Sequence, residues 1–269
     1  RRGRHKVHSI SGIISGDVAT GLLQATGAVA LCAAAIMLCR GFGVEVRREA
    51  AVSIVRGLFQ MVLVGLLLAA LVHGPALAGL VILGLMTVAA AYTASRRLTQ
   101  MSGSFGLSLL AIAAGAGTTL VAMLAMGILK TDIAVMVPVG SMIIANAMNA
   151  CAQAVERFRS DVEAHTGMIE AGLSLGADPN VAVVPYVSTA VYASMLPRLD
   201  MLKSLGLVWI PGVMAGMLVS GADPVYAGIF QFIIVAMILS ASAITGLLII
   251  LLVRSYSFSP AAQLLLRRS

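Results

Sequence analysis

The sequence predicts an all-α polytopic membrane protein with about seven transmembrane helices, N-terminus out and C-terminus in, and one long cytoplasmic loop. Three observations carry this. The chain of 269 residues is 59% apolar and 11% charged, with a mean hydropathy of +1.00, whereas a soluble domain covers itself with roughly 25% charged residues. Its apolar residues fall in long uncharged runs, and about 20 such residues cross a bilayer core as a helix. Its basic residues divide unevenly between the two sides those runs imply.

The runs are, in order, 18–39, 57–72 (extended toward Ala50 with Arg56 near the interface), 75–95, a stretch within 98–129, 133–155, 205–222 and 224–253. Each is apolar at consecutive positions, not alternate ones, so helices are expected rather than barrel strands. The organisation that follows is a flank at 1–17, a single transmembrane domain at 18–253 with a loop at about 156–203, and a cytoplasmic tail at 254–269.

Of 18 basic residues, thirteen lie on the side of Arg96, Arg97 and Arg254, and five, namely Arg1, Arg2, Arg4, Lys6 and Lys130, lie on the other. The richer side is expected in the cytoplasm. The basic start opposes this and is set aside as a trimmed end. The net charge of +7 is scattered over short loops without interleaved aromatics, which fits anionic lipid headgroups and argues against nucleic acid. Cys32, Cys39 and Cys151 have no paired spacing and read as small packing residues.

Several chemistries are missing. All eleven carboxylates are placed in loops or at span edges, so an intramembrane proton relay is not expected. No Gly-x-x-x-x-Gly-Lys-Ser/Thr stretch occurs, so the chain itself holds no ATP by a phosphate loop. Gly172-Leu173-Ser174-Leu175-Gly176 fits the G-x-S-x-G nucleophile pattern, but every histidine (His5, His8, His73, His165) lies upstream and no strand is expected before it, so it reads as a chance match.

The long loop begins as a helix leaving the membrane, because Phe158, Val162, His165 and Ile169 recur at four, three and four residues between charges. Gly176-Ala177-Asp178-Pro179 breaks it. The uncharged stretch 179–197 carries Tyr186, Ser188, Thr189, Tyr192 and Ser194 and reads as an interfacial or protein-covered helix, too polar for a span.

Glu170-Ala171-Gly172-x-x-x-Gly176, followed by Ala177, resembles the coupling loop of ABC-transporter membrane subunits. A short helix with a fixed Glu, stopped by a glycine at φ > 0, makes a rigid knob for a groove in a soluble ATPase. The same residues equally suit an ordinary helix end. The wider sequence, Pro138-x-Gly140-Ser141-Met142-Ile143-x-Ala145-Asn146-Ala147-Met148-Asn149, then 173–177, then Trp209-Ile210-Pro211-Gly212-Val213-Met214-Ala215-Gly216 and Gly221-Ala222-Asp223-Pro224, with Arg56 and Gln60, resembles the Fet-type iron-export ABC permeases, whose plant relatives are linked to aluminium tolerance. The resemblance implies a homodimeric, non-enzymatic permease in the plasma membrane (the inner membrane in a bacterium), with ATP and Mg bound by a separate ABC ATP-binding subunit and iron or another metal exported.

Read without the resemblance, Gly212 and Gly216 let two helices approach, and Pro138 and Pro211 free carbonyls in or near spans. Asn146 and Asn149 share a face and are expected inside the bundle, as interhelical hydrogen-bonding groups or as substrate contacts. Met142, Met148, Met214 and Met217 offer thioethers to a soft metal or simply pack. The alternatives left open are an ABC permease for an organic solute such as a nucleotide sugar, and an ATP-independent channel or intramembrane enzyme; dependence of transport on a copurifying ATPase separates them.

Overall fold

A computed structural model describes residues 17–41, 47–71, 74–97, 103–129 and 132–258. The expected flank up to Gly16, the basic start, His73, Lys130 and the tail beyond Phe258 lie outside the described residues. The described chain is built of helices: α1 (Asp17–Arg40), α2 (Arg47–Leu71), α3 (Ala76–Ser95), α4 (Ser104–Ala125), α5 (Ile133–Ala164), α6 (Thr166–Ser174), α7 (Pro179–Ala182), α8 (Val184–Ser204), α9 (Gly212–Val219) and α10 (Pro224–Tyr256). Among the described residues, five helical segments are long and apolar enough to cross a membrane, Arg48–Ala70, Leu77–Ser95, Ser104–Ala125, Ile133–Ala164 and Pro224–Tyr256, and α1 contains the shorter apolar stretch Leu23–Cys39.

The chain divides into two compact units, Arg1–Ala70 and Leu71–Ser269. The first carries α1 and nearly all of α2. The second is a bundle in which α5 packs against α3, α4, α8 and α10, and α10 packs against α4, α5, α8 and α9. Its core is apolar and tight, with Ile112, Met123, Ile143, Phe158, Ile234, Ile238, Ile249 and Ile250 fully buried.

Helices in lipid gain no hydrophobic drive from meeting one another and instead rely on close packing of small residues. Gly115 of α4 is such a point: a Cβ there would stand 2.8 Å from the carbonyl oxygen of Ala241 in α10. Gly246 of α10 does the same for α8, where a Cβ would meet Ser194 Oγ at 2.6 Å.

α5 starts where Asp132 caps it, its Oδ1 accepting from the Ala134 N–H at 3.0 Å, and continues through Pro138 for 32 residues, about 48 Å. It therefore outruns a bilayer core of about 30 Å. The protruding part is the charged segment read from the sequence, with Phe158 and Val162 buried as the spacing required; the expected continuous helix breaks at His165, which is exposed, and Ile169 is buried on the next helix, α6. Arg157–Asp161 and Arg159–Glu163 pair along it at i,i+4, and Arg97 at the end of α3 meets Glu156 at 2.9 Å.

The expected span 205–222 is corrected. Only Gly212–Val219 is helical there, 8 residues, about 12 Å and too short to cross. Gly206 at φ +77° and the isolated bridge from Leu205 to Trp209 turn the chain, and Pro211, at ψ 152°, restarts it as the N-cap of α9. Running beside α5 and α10 is α8, 21 residues long; it takes in most of the stretch 179–197 read as interfacial or protein-covered and continues beyond it through Arg198, Asp200 and Lys203 to Ser204. Its direction follows from three contacts. Tyr186 stacks on His165 at 5.0 Å, Arg198 reaches Asn146, and Ser194 lies against Gly246 while Met214, in the following helix, lies against Gly228. α8 is thus antiparallel to both α5 and α10, alongside their apolar stretches.

Candidate functional site

Two places gather polar chemistry. The first is the tip of the loop. Ile169, 2% exposed, pins α6 to the core, and Leu173 packs beside it. The helix then ends in a Schellman motif, in which the Ala177 N–H donates to the Gly172 carbonyl and the Gly176 N–H to that of Leu173, both at 3.0 Å. This closure needs a left-handed residue, and Gly176 supplies it at φ +88°. Asp178 Oδ1 then accepts from the Asn180 N–H at 2.8 Å and Pro179 opens α7, the usual start of a helix. Two helices joined by two caps hold Leu175, Gly176 and Ala177 outward, with Leu175 88% exposed. Glu170 is half-buried on α6, and Ala171 and Gly172 complete its last turn.

Ser174 is the last residue of α6, its hydroxyl donating to the Ala171 carbonyl at 2.7 Å. The segment before it is helix, so the G-x-S-x-G spacing forms no nucleophile elbow.

The second place lies between α5 and α8. Arg198 is 2% exposed. Its Nη1 donates to Gln153 Oε1 at 2.7 Å, its Nη2 to the Asn146 carbonyl at 3.0 Å, and its Nε has no partner among the described residues. A buried guanidinium held by amide oxygens rather than a carboxylate is costly, and such groups inside membranes tend to face pathways or partner helices. The sequence reading placed Arg198 with the exposed cytoplasmic basic residues. The available signal was the recurrence of Ala190, Ser194 and Arg198 every four residues, one helical face, and these three are the buried residues of α8.

The two amides expected inside the bundle differ in burial within the chain. Asn146 is half-buried, and its Nδ2 donates to Met142 of its own helix at 2.9 Å, while Asn149 is exposed. The two amides share a face of α5, but in the described bundle only Asn146 sits beside α8, where its carbonyl accepts from Arg198. The polar link between helices is made by Arg198 instead.

The remaining candidates are not brought together. Gly212 and Gly216 are exposed with nothing within 4 Å of a built Cβ, so no described helix uses that pair. Met142 and Met148 are half-buried on α5, and Met214 and Met217 half-buried on α9. Among the described residues no three of His, Cys, Asp and Glu converge as a metal site. In the first unit, Arg56 and Gln60 lie one turn apart on α2, both exposed.

Asp200, a carboxylate expected in a loop or at a span edge, lies within α8, two residues beyond Arg198, with Oδ1 3.2 Å from Lys203 Nζ.

These helices define an all-α, polytopic integral membrane protein. The chain belongs to the uncharacterised protein family UPF0014, whose model matches residues 22–258. It is 27% identical to the UPF0014 membrane protein STAR2 of Oryza sativa subsp. japonica over 91% of this chain and 86% of that protein. It is 26% identical to the protein ALUMINUM SENSITIVE 3 of Arabidopsis thaliana over 91% and 90%. It is 29% identical to the probable iron export permease protein FetB of Escherichia coli over 82% and 86%. No solved structure matches the chain.

Proposed function

We propose that the chain is the membrane-spanning subunit of an ATP-driven ABC exporter, works as a homodimer with two copies of a separate ATP-binding subunit, and carries a metal ion, iron first among candidates. The cargo rests on the relative named as an iron export permease. The ATPase rests on one observation, the capped tip of α6 at 175–177. An ATPase can drive a membrane protein only through a rigid element that transmits its motion, and two caps back to back make this exposed turn rigid. On this reading, the knob, the Arg97–Glu156 level and the C-terminus are cytoplasmic, in keeping with the distribution of basic residues.

Gly176→Val tests it. A β-branched residue resists φ +88°, so the tip should deform while the bundle stays intact. The expected result is loss of ATP-dependent iron transport in proteoliposomes, and of ATPase copurification, with membrane insertion unchanged. Normal copurification and transport in that variant refute the knob's role; efflux of iron without any ATPase refutes the class.

A further inference from the structure

α8 has two unlike faces. Ala190, Ser194 and Arg198 are buried against the bundle. On the opposite side Thr189, Tyr192, Leu196, Asp200 and Lys203 recur at three, four, four and three residues, one stripe of a helix. Leu196 is half-buried and the other four are exposed, Tyr192 60%, Asp200 and Lys203 66% and 73% by side chain.

The depth of this stripe follows from contacts with two neighbours. Arg198 binds the carbonyl of Asn146, inside the uncharged run 133–155 of α5, and α8 climbs from there toward the Ile133 end. Asp200 therefore lies about 3 Å, and Lys203 about 7.5 Å, further along that run. Measured from α10, Ser194 is level with Gly246, so Asp200 lies about 9 Å nearer the Pro224 end, in the middle of the uncharged run 224–253. Both neighbours put an exposed ion pair at bilayer depth.

Lipid does not solvate such a pair, and charges at this depth line water or polar partners. We propose that the Thr189–Tyr192–Asp200–Lys203 face of α8 is a wall of a water-filled pathway through the membrane, with Asp200 and Lys203 setting the electrostatic potential of that water. A dry contact would strand both charges, and the aliphatic side chains that suit lipid are on α10, where Ile244, Leu247 and Leu251 are exposed. The proposal gives the exporter reading a pathway and rests on that reading only for what moves through it.

Because only a thiolate reacts and a thiolate forms only in water, cysteine reactivity reads hydration directly. In a background with Cys32, Cys39 and Cys151 replaced, Thr189→Cys, Tyr192→Cys and Leu196→Cys are compared with Leu247→Cys and Leu251→Cys in permeabilised membranes, using small cationic and anionic methanethiosulfonates, on variants that purify as a single species. The stripe should react at least tenfold faster than the α10 positions. At Leu196→Cys, adding Asp200→Asn should lower the cation-to-anion rate ratio severalfold, and adding Lys203→Gln should raise it. A stripe no more reactive than Leu247→Cys, whether covered by lipid or by a second copy, overturns the proposal, as does a rate ratio insensitive to both charge variants. No ATPase or transport enters the assay, so its failure is distinct from failure of the exporter reading.

Discussion

α10 and α8 lie side by side in the same bundle, yet they solve the membrane problem differently. α10 is uncharged from Pro224 to Val253, and its buried face is mainly apolar, with Ile234, Ile238, Ile249 and Ile250 in the core. α8 buries a guanidinium and exposes an ion pair. A helix whose surroundings are lipid and packed protein can be apolar all round; one that must also border water cannot. On the proposed reading, this difference makes α8 the helix that borders the pathway and α10 its support.

The largest expected effect breaks the comparison at Arg198. Arg198→Ala removes a long buried side chain together with its bonds to Gln153 and Asn146, and should cost about 2–5 kcal/mol, as truncations of buried long side chains do. Arg198→Met keeps the stem and deletes a charge whose Nε is unpartnered among the described residues, so it should leave stability unchanged or higher while lowering transport. Unfolding in detergent alongside transport reads both. If the Ala variant is as stable as the parent, the side chain is not packed between α5 and α8.

The same contrast explains how much could be read beforehand. α3, α4, α5 and α10 were legible because uncharged length alone identifies them, and the turn at Gly176 because Gly-Ala-Asp-Pro combines a left-handed residue, a cap and a helix start. α8 was legible as an interfacial or protein-covered helix but not as one lying alongside the apolar stretches of α5 and α10, because mean hydropathy averages around the helix, and Thr189, Tyr192, Asp200 and Lys203 on one side hide Ala190 and Ser194 on the other. The stretch 205–222 misled in the opposite sense: it is apolar enough for a span, but Gly206 and Pro211 break it locally. Asn149 could not be placed from spacing, which says that two amides share a face but not which neighbour covers it.

A smaller effect sharpens the contrast from the side of α10. Gln231 is 1% exposed and neither atom of its amide has a partner among the described residues. A buried, unpaired amide is destabilising, so Gln231→Met, which keeps the length, should raise stability by about 1–3 kcal/mol. A loss of stability instead would mean that the amide is paired in the assembled protein, by a second copy or by cargo, and α10 would then share in function.

The smallest effect compares two ion pairs. Arg97–Glu156 joins α3 to α5 where both helices emerge from their apolar runs, with side chains 58% and 63% exposed. Asp200–Lys203 has nearly the same exposure, 66% and 73%, but at bilayer depth. Exposed pairs in water are worth about 0.2–1 kcal/mol, and they weaken once the screening length falls to about 3 Å at 1 M salt. Double-mutant cycles with glutamine and asparagine replacements, run in native-like membranes at low and high salt, should give Arg97–Glu156 a coupling in that range that salt removes. If α8 borders water, Asp200–Lys203 should behave the same way despite its depth. If lipid or a dry protein surface covers it, its coupling should be several times larger and indifferent to salt, because low dielectric strengthens the attraction and keeps ions out. The two pairs have similar exposure within the chain, so any divergence in their salt response measures what covers α8 in the membrane.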